Sequence, residues 1–258
     1  MSLLRLLSLP LLLLYPALGA TTEADAMPGH IVEAFNEAHP EHAFHEAPRI
    51  SPVVARVHHQ GPGNDRRIAL TFDACSTWEG TDRDPRIPEL LRETKTPATL
   101  FLGGLWMAEF PELTRSLHRD PLFELGNHAW SHPDLTDMEA DEVQMQLGLT
   151  QLKAKALTGE APRWFRPPFV RKDATVVDAA ASLGLETVQY DLASGDADEE
   201  ASYEEIASDV LDRIRPGSIM VLHMNNPDLP TAQALPLILE GLEERDLEPV
   251  LLSELLAR

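Results

Sequence analysis

The sequence predicts an α/β fold built on a parallel sheet, and three observations predict it. Short apolar runs alternate with amphipathic segments from Ile68 onward. Each run except the last is followed by a helix or a helical connection, the order expected of strand–crossover–strand units. Acids, histidines and polar turns gather where the runs end, which in such folds is the rim that carries function. Periodicity alone does not separate a closed barrel from an open sheet. At 258 residues, 43% hydrophobic and 24% charged, the chain has room for one large α/β domain or two small ones.

Taken in order, Met-Ser-Leu-Leu-Arg and the apolar stretch Leu6 to Gly19 read as a secretory signal over residues 1–20. Pro10 and Pro16 interrupt it, and it is short for a membrane span. Export to the periplasm or beyond is therefore expected, with no membrane span after cleavage. Residues 21–50, rich in Glu, Ala, His and Pro, read as an acidic tail or linker with one short helix at Ile31 to Ala38. Residues 51–258 are the expected folded domain. In it Val53, Val54 and Val57 suggest a strand and Gly61-Pro-Gly-Asn-Asp65 a turn.

Seven strand candidates follow: Ile68–Phe72, Ala98–Leu102, Phe123–Leu125, Trp164–Phe165, Thr187–Tyr190, Ser218–Leu222 and Val250–Leu252. The helices between them have readable ends. Pro111 splits the segment from Leu105 to His118, Thr136-x-x-Glu139 reads as a capping box, and Gly159 closes the helix that follows. Asp173 caps a helix ending at Gly184, and Thr231 caps a last helix reaching about Glu244.

Composition excludes some partners. With 42 acidic against 21 basic residues, a formal charge of -21, and no basic stripe, nucleic acid is not an expected partner. The single cysteine, Cys75, rules out an intramolecular disulfide and a Cys-rich zinc module.

The strand ends carry the functional signal. The first delivers Leu70-Thr-Phe-Asp-Ala-Cys75, and the third delivers Gly126-Asn-His128-Ala-Trp-Ser-His132, with Gly126 permitting a tight bend. The fourth delivers Arg166-Pro-Pro-Phe169, the fifth Tyr190-Asp191 and Ser194-Gly-Asp196, and the sixth Leu222-His223. Two imidazoles on one short segment are able to converge on a metal ion. Plainer readings exist for some of the others. Arg166 pairs with one of the abundant surface acids, Asp196 forms an Asx turn with Gly195, or Asp191 competes with it.

In this order the residues Thr71-Phe-Asp73, Asn127-His-x-x-x-His132, Arg166-Pro-Pro-Phe169, Asp196 and Leu222-His223 resemble the polysaccharide deacetylases of the NodB-homology type, carbohydrate esterase family four. Ala98-Thr-Leu-Phe and Gly217 to His223 add to the likeness, which runs from about Arg67 to the C-terminus. The resemblance implies a distorted (β/α)7-type barrel. It also implies metal-assisted hydrolysis of N- or O-acetyl groups on a sugar polymer such as peptidoglycan, chitin-like chains or acetylated xylan. By position, Asp73 becomes the general base, and His128 and His132 ligands of a divalent metal, Zn²⁺ by preference. His223 becomes the general acid, Arg166 the partner that keeps Asp73 ionised, and Asp196 the residue that orients His223. The backbone N–H of Phe169 takes the oxyanion role. Trp78, Trp106 and Trp130 are aromatics suited equally to sugar stacking or to the core, with Trp130, in the histidine segment, taken as a substrate contact.

The match departs from the family in three places. Ala74 stands where the family has the second aspartate, its third metal ligand, Ala129 replaces a hydroxyl residue, and Phe169 replaces the commoner Tyr. Asp73 itself, Asp82 or Asp84 from the following loop, or Cys75 are the candidates to fill the gap at 74. The alternatives to a glycan deacetylase are a glycan-binding member that has lost catalysis and a hydrolase of non-sugar C–N amide bonds.

Overall fold

The computed structural model describes residues 24–257 apart from 78, 79 and 199; the expected signal segment and Trp78 lie outside the described residues. The described chain opens with an antiparallel pair, β1 (Asp25–Ala26) and β2 (Arg49–Ile50), which brackets helix α1 (Gly29–Ala38). Then come β3 (Val57–His58), β4 (Arg67–Ala74), α2 (Arg86–Glu93), β5 (Ala98–Leu102), α3 (Gly104–Glu109), α4 (Pro111–Arg119) and β6 (Phe123–Asn127). The long α5 (Ala140–Thr158) leads to β7 (Trp164–Phe165), α6 (Ala174–Ser182), β8 (Glu186–Val188) and β9 (Leu192–Ala193). The chain ends with α7 (Tyr203–Arg213), β10 (Ile219–His223), α8 (Thr231–Glu244), β11 (Glu248–Pro249) and α9 (Leu252–Leu255).

The sheet runs β3-β8-β7-β6-β5-β4-β10-β9, with β11 against the start of β4, and every pairing in it is parallel. It curls into a half-barrel with helices outside, the distorted (β/α)7 arrangement. Alternation along β4 separates two cores. Ile68, Leu70, Phe72 and Ala74 join Ile87, Leu91, Met107 and Ile238 of the helix layer. Ala69 faces the barrel interior with Phe101, Trp164, Val188 and Ile219, closed below by Leu252 and Leu255.

Several expectations are corrected. Residues 24–50 are not outside the fold: Met27, Ile31, Val32 and Phe35 are buried against Val143 and Leu147 of α5 and Ala180 of α6. Only Val57 of the valine cluster enters a strand, and Val54 is exposed. The last strand is Glu248–Pro249, because Leu252 already begins α9 under the barrel. β9 is a two-residue strand too short to leave an apolar run. The capping box is made by Glu139 and Glu142, while Thr136 bonds Asp134. Pro230, not Thr231, sits at the start of α8. The predicted ends at Pro111, Gly159 and Asp173 match the helices that form. Among the described residues no helix is long and apolar enough to cross a membrane.

Candidate active site and metal centre

The ends of four strands, β4, β6, β7 and β10, bring the site together. In β4 the interior-facing alternation that begins at Ala69 continues through Thr71 and Asp73. Arg166, just past β7, is fully buried and donates through Nη1 to Asp73 Oδ1 at 2.9 Å and to Thr71 Oγ1 at 2.8 Å. Its Nη2 reaches the Gln189 carbonyl at 3.3 Å, and its guanidinium lies 4.2 Å from the centre of the Phe101 ring. Phe101 fits there because β6 has Gly126 beside it: a Cβ at 126 would stand 2.5 Å from the Phe101 ring. Close approach, rather than a bend, is the role of that glycine. Burial pushes the Asp73 carboxyl up, but the charge and hydrogen bond of Arg166, with the charge of His223, outweigh it and hold Asp73 below the ordinary carboxylate value.

His223 ends β10, which pairs with β4 so that His223 is level with Asp73. Its Nδ1 is 2.9 Å from Asp196 Oδ1 and its backbone N–H donates to Asp196 Oδ2 at 2.7 Å. Ser194 and Thr231 donate hydroxyl bonds to the same carboxylate at 2.7 and 2.6 Å. Thr231 therefore serves Asp196 rather than a helix end. Burial lowers the His223 pKa, yet the Asp196 hydrogen bond and charge more than offset this and leave it above the ordinary histidine value. Asp191 takes no part, since it binds the Ile219 N–H, Ser218 and Arg215.

The histidine segment follows β6. The Asn127 side chain anchors it to α5 through the Leu147 carbonyl and accepts the Ala129 N–H. Gln146 of α5 accepts the N–H groups of Trp130 and Ser131. His128 Nδ1 is 2.9 Å from the Arg166 carbonyl, so it carries the proton and leaves Nε2 as a lone pair toward the site. Around that nitrogen lie Cys75 Sγ at 3.6 Å and Asp73 Oδ2 at 3.9 Å. The His132 ring is 5.0 Å from that of His128 and 4.6 Å from that of Phe169. Burial and the neighbouring His128 push the His132 pKa down to about 3. Burial lowers that of His128 as well. Both imidazoles are therefore neutral and able to ligate near pH 7. Ala129, His132, Phe169 and Val170 all have φ between 53° and 61°, a left-handed backbone that non-glycine residues rarely adopt.

Strand ends, a carboxylate–guanidinium pair, a carboxylate-backed imidazole and a histidine pair are arranged as the motif order implied, and the family model for polysaccharide deacetylase matches residues 60–188. The chain belongs to the polysaccharide deacetylase family. Proteins it resembles include deacetylases named for chitooligosaccharide and for peptidoglycan N-acetylglucosamine. It is 31% identical over 165 residues to a chitooligosaccharide deacetylase of Azorhizobium caulinodans, covering 64% of this chain and 76% of that one. It is 31% identical to a peptidoglycan-N-acetylglucosamine deacetylase of Bacillus cereus over 63% of this chain, but spans only 58% of that relative's length. Among solved structures, the Bc1960 peptidoglycan N-acetylglucosamine deacetylase superposes with a TM-score of 0.71 at 27% identity, over 78% of this chain and 92% of that one. A carbohydrate esterase family four pseudoenzyme of Bacillus anthracis, BA3943, superposes with a TM-score of 0.70 at 25% identity, over 86% and 80%.

Against the family's metal chemistry the side chains present are a fit. Among the described residues, Cys75, His128 and His132 bring three ligand atoms within 4.8 Å of one another. A sulfur and two imidazole nitrogens suit a borderline ion. The two loop acids expected to fill the gap at 74 do not reach the site. The Asp82 side chain caps the Arg83 N–H, and the Asp84 carboxylate is held by Arg86 at 2.6 Å. Trp130 is not a substrate platform: its indole is buried against Gly104 and beneath His39. Trp106 is core, with its N–H on the Asp82 carbonyl. Among the described residues, Phe169, 59% exposed, is an aromatic that faces outward at the site. Missed at the sequence level was Gln189, which accepts Arg166 Nη2 on its carbonyl and donates its side-chain amide to the Val170 carbonyl. Being polar at the end of an apolar strand was its only signal.

Proposed function

We infer that this protein is an exported, metal-dependent deacetylase that removes N-acetyl groups from an aminosugar polymer of the cell-wall or chitin type. The observation that carries the reading is that Asp73, held by Arg166, and His223, held by Asp196, stand level on adjacent strands beside the histidine pair. A carboxylate kept ionised next to an imidazole kept protonated is a base and an acid at one site, a combination a pure binding module has no use for.

In the proposed reaction His128 and His132 hold a divalent ion, with zinc favoured by their nitrogen donors. Such an ion, when bound, supplies Lewis acidity toward the acetyl carbonyl and makes water acidic enough to attack near neutral pH. Asp73 accepts the proton of the attacking water, its charge stabilised by Arg166. The Phe169 N–H, presented by the left-handed turn at 169–170, donates to the oxygen that becomes negative as the carbonyl carbon turns tetrahedral. His223 gives its proton to the departing nitrogen, and Asp196 stabilises the imidazolium before that transfer. The exposed Phe169 ring offers an apolar face to a sugar. Export is supported by the basic-then-apolar segment at residues 1–20.

One observation favours a second reading, a glycan-binding member without activity: Ala74 in place of an acid, together with the likeness to a pseudoenzyme. Acetate release from N-acetylglucosamine oligomers and from peptidoglycan separates the two. The enzyme reading expects release that stops on chelation and falls about 10²–10⁴-fold in His223→Ala. Binding of the same oligomers with no acetate released, by zinc-loaded protein, would establish the second reading instead.

A further inference from the structure

We propose that Cys75 is the third protein ligand of the metal centre, its sulfur standing in for the carboxylate that position 74 lacks. The inference rests on the metal-dependent reading above and concerns which side chain completes it.

Strand alternation is the first argument. Residues 68, 70, 72 and 74 of β4 belong to the apolar layer beneath the helices, and Ala74 is fully buried there. In this chain a carboxylate at 74 would therefore point into hydrocarbon. Thr71 and Asp73 point to the other side. Cys75 follows immediately past the strand end, and its sulfur lies beside His128 rather than in the apolar layer.

Distance is the second argument. Cys75 Sγ lies 3.6 Å from His128 Nε2, the nitrogen that the Arg166 carbonyl leaves unprotonated by engaging Nδ1. Two ligands on one tetrahedral zinc, with Zn–S near 2.3 Å and Zn–N near 2.05 Å, are about 3.6 Å apart. The same sulfur is also within 4.8 Å of the His132 ligand atom.

Elimination and charge complete the case. Asp84 is engaged by Arg86, and neither Asp82 nor Asp73, whose Oδ1 is bound to Arg166, joins the cluster of three ligand atoms found among the described residues. When the incoming ion displaces the thiol proton to solvent, the sulfur supplies the single negative charge that an aspartate at 74 supplies elsewhere in the family. Two nitrogens and one thiolate leave a coordination position open, as a catalytic zinc site requires. The thiolate also biases the site toward zinc and cobalt and away from magnesium and manganese, which prefer oxygen donors.

Cobalt substitution reads this directly. The full chain is stripped with a chelator, loaded with Co²⁺, and examined for a thiolate-to-cobalt charge-transfer band in the near ultraviolet. Cys75 is the single cysteine, so the band has one thiolate source. Expected are about one equivalent of cobalt with the band in the wild type, and cobalt without the band in Cys75→Asp. Cys75→Ala is expected to lose affinity beyond the roughly 10–100-fold typical of removing an outer partner of a metal ligand. Stoichiometric cobalt in the wild type without the band, or a band that survives Cys75→Ala, overturns the assignment and leaves the histidine pair standing. A wild type that binds neither cobalt nor zinc overturns the metal-dependent reading itself.

Discussion

Both oxygens of Asp196 hold His223 and are themselves held by hydroxyls: Oδ1 takes His223 Nδ1 and Ser194, and Oδ2 takes the His223 N–H and Thr231. The His223 pKa is raised by that carboxylate against the pull of burial. An acid with a raised pKa stays protonated, and so active, to higher pH, and activity is lost as pH rises through that value. Asp196→Asn is therefore expected to move the alkaline limb of the kcat/KM profile to lower pH. Well below the limb its rate should approach the wild-type rate. A variant with uniformly reduced activity and an unmoved limb would show that Asp196 only maintains the fold. The same pairing contributes stability that is complete below the unfolded histidine value and fades as pH climbs through the folded one. Arg166 is a second test at this scale. Arg166→Met strands a buried carboxylate, and loss of one partner of a buried pair costs about 3–5 kcal/mol, to be read from urea unfolding.

At the scale of elements, α1 is the segment whose role the sequence hid. Met27, Ile31, Val32 and Phe35 have helical spacing, but the helix is ten residues long in a background of Glu, His and Pro. So few apolar positions do not distinguish a docked helix from a tail. The strands β4, β5 and β10 were legible because a parallel strand buried on both faces reads as an unbroken apolar run. The two-residue β9 and β11 were not, since no local pattern marks them. Burial of Trp130 was illegible for another reason: it depends on Gly104, which is distant in sequence and lacks the Cβ that would collide with the indole. The commitments of Asp82 and Asp84 to nearby partners left no mark in the letters. Because His39, just past α1, rests on Trp130 of the histidine segment, damage to α1 should be felt at the metal. Phe35→Ala is expected to cost about 3–5 kcal/mol and to weaken zinc binding as well. Lower stability with unchanged zinc affinity would mean that α1 supports the core alone.

Over the whole molecule, the formal charge of -21 bears on the proposed reaction, which would change the charge of its polymer. An acetamido sugar is neutral, and the amine released from it is a cation near neutral pH. A strongly acidic surface attracts that product through a field screened over about 8 Å at physiological ionic strength. Deacetylated oligomers are thus expected to inhibit more than acetylated ones of equal length at low salt. The difference should shrink as salt is raised, which initial rates at several ionic strengths would reveal. Inhibition by both oligomers to the same degree at all salt concentrations would remove the surface field from the account.

The turn that presents the Phe169 N–H includes Val170 at φ 61°, a costly conformation for a β-branched residue. Such backbone costs about 1–3 kcal/mol and persists where its surroundings enforce it; here Gln189 grips the Val170 carbonyl. A selection for heat tolerance that samples glycine at 170 should find it beneficial, because glycine adopts this φ freely. The melting temperature of Val170→Gly is expected to rise while turnover falls, since the released turn no longer holds its N–H in one place. Thermal hardiness and catalysis thus pull against each other at this one position.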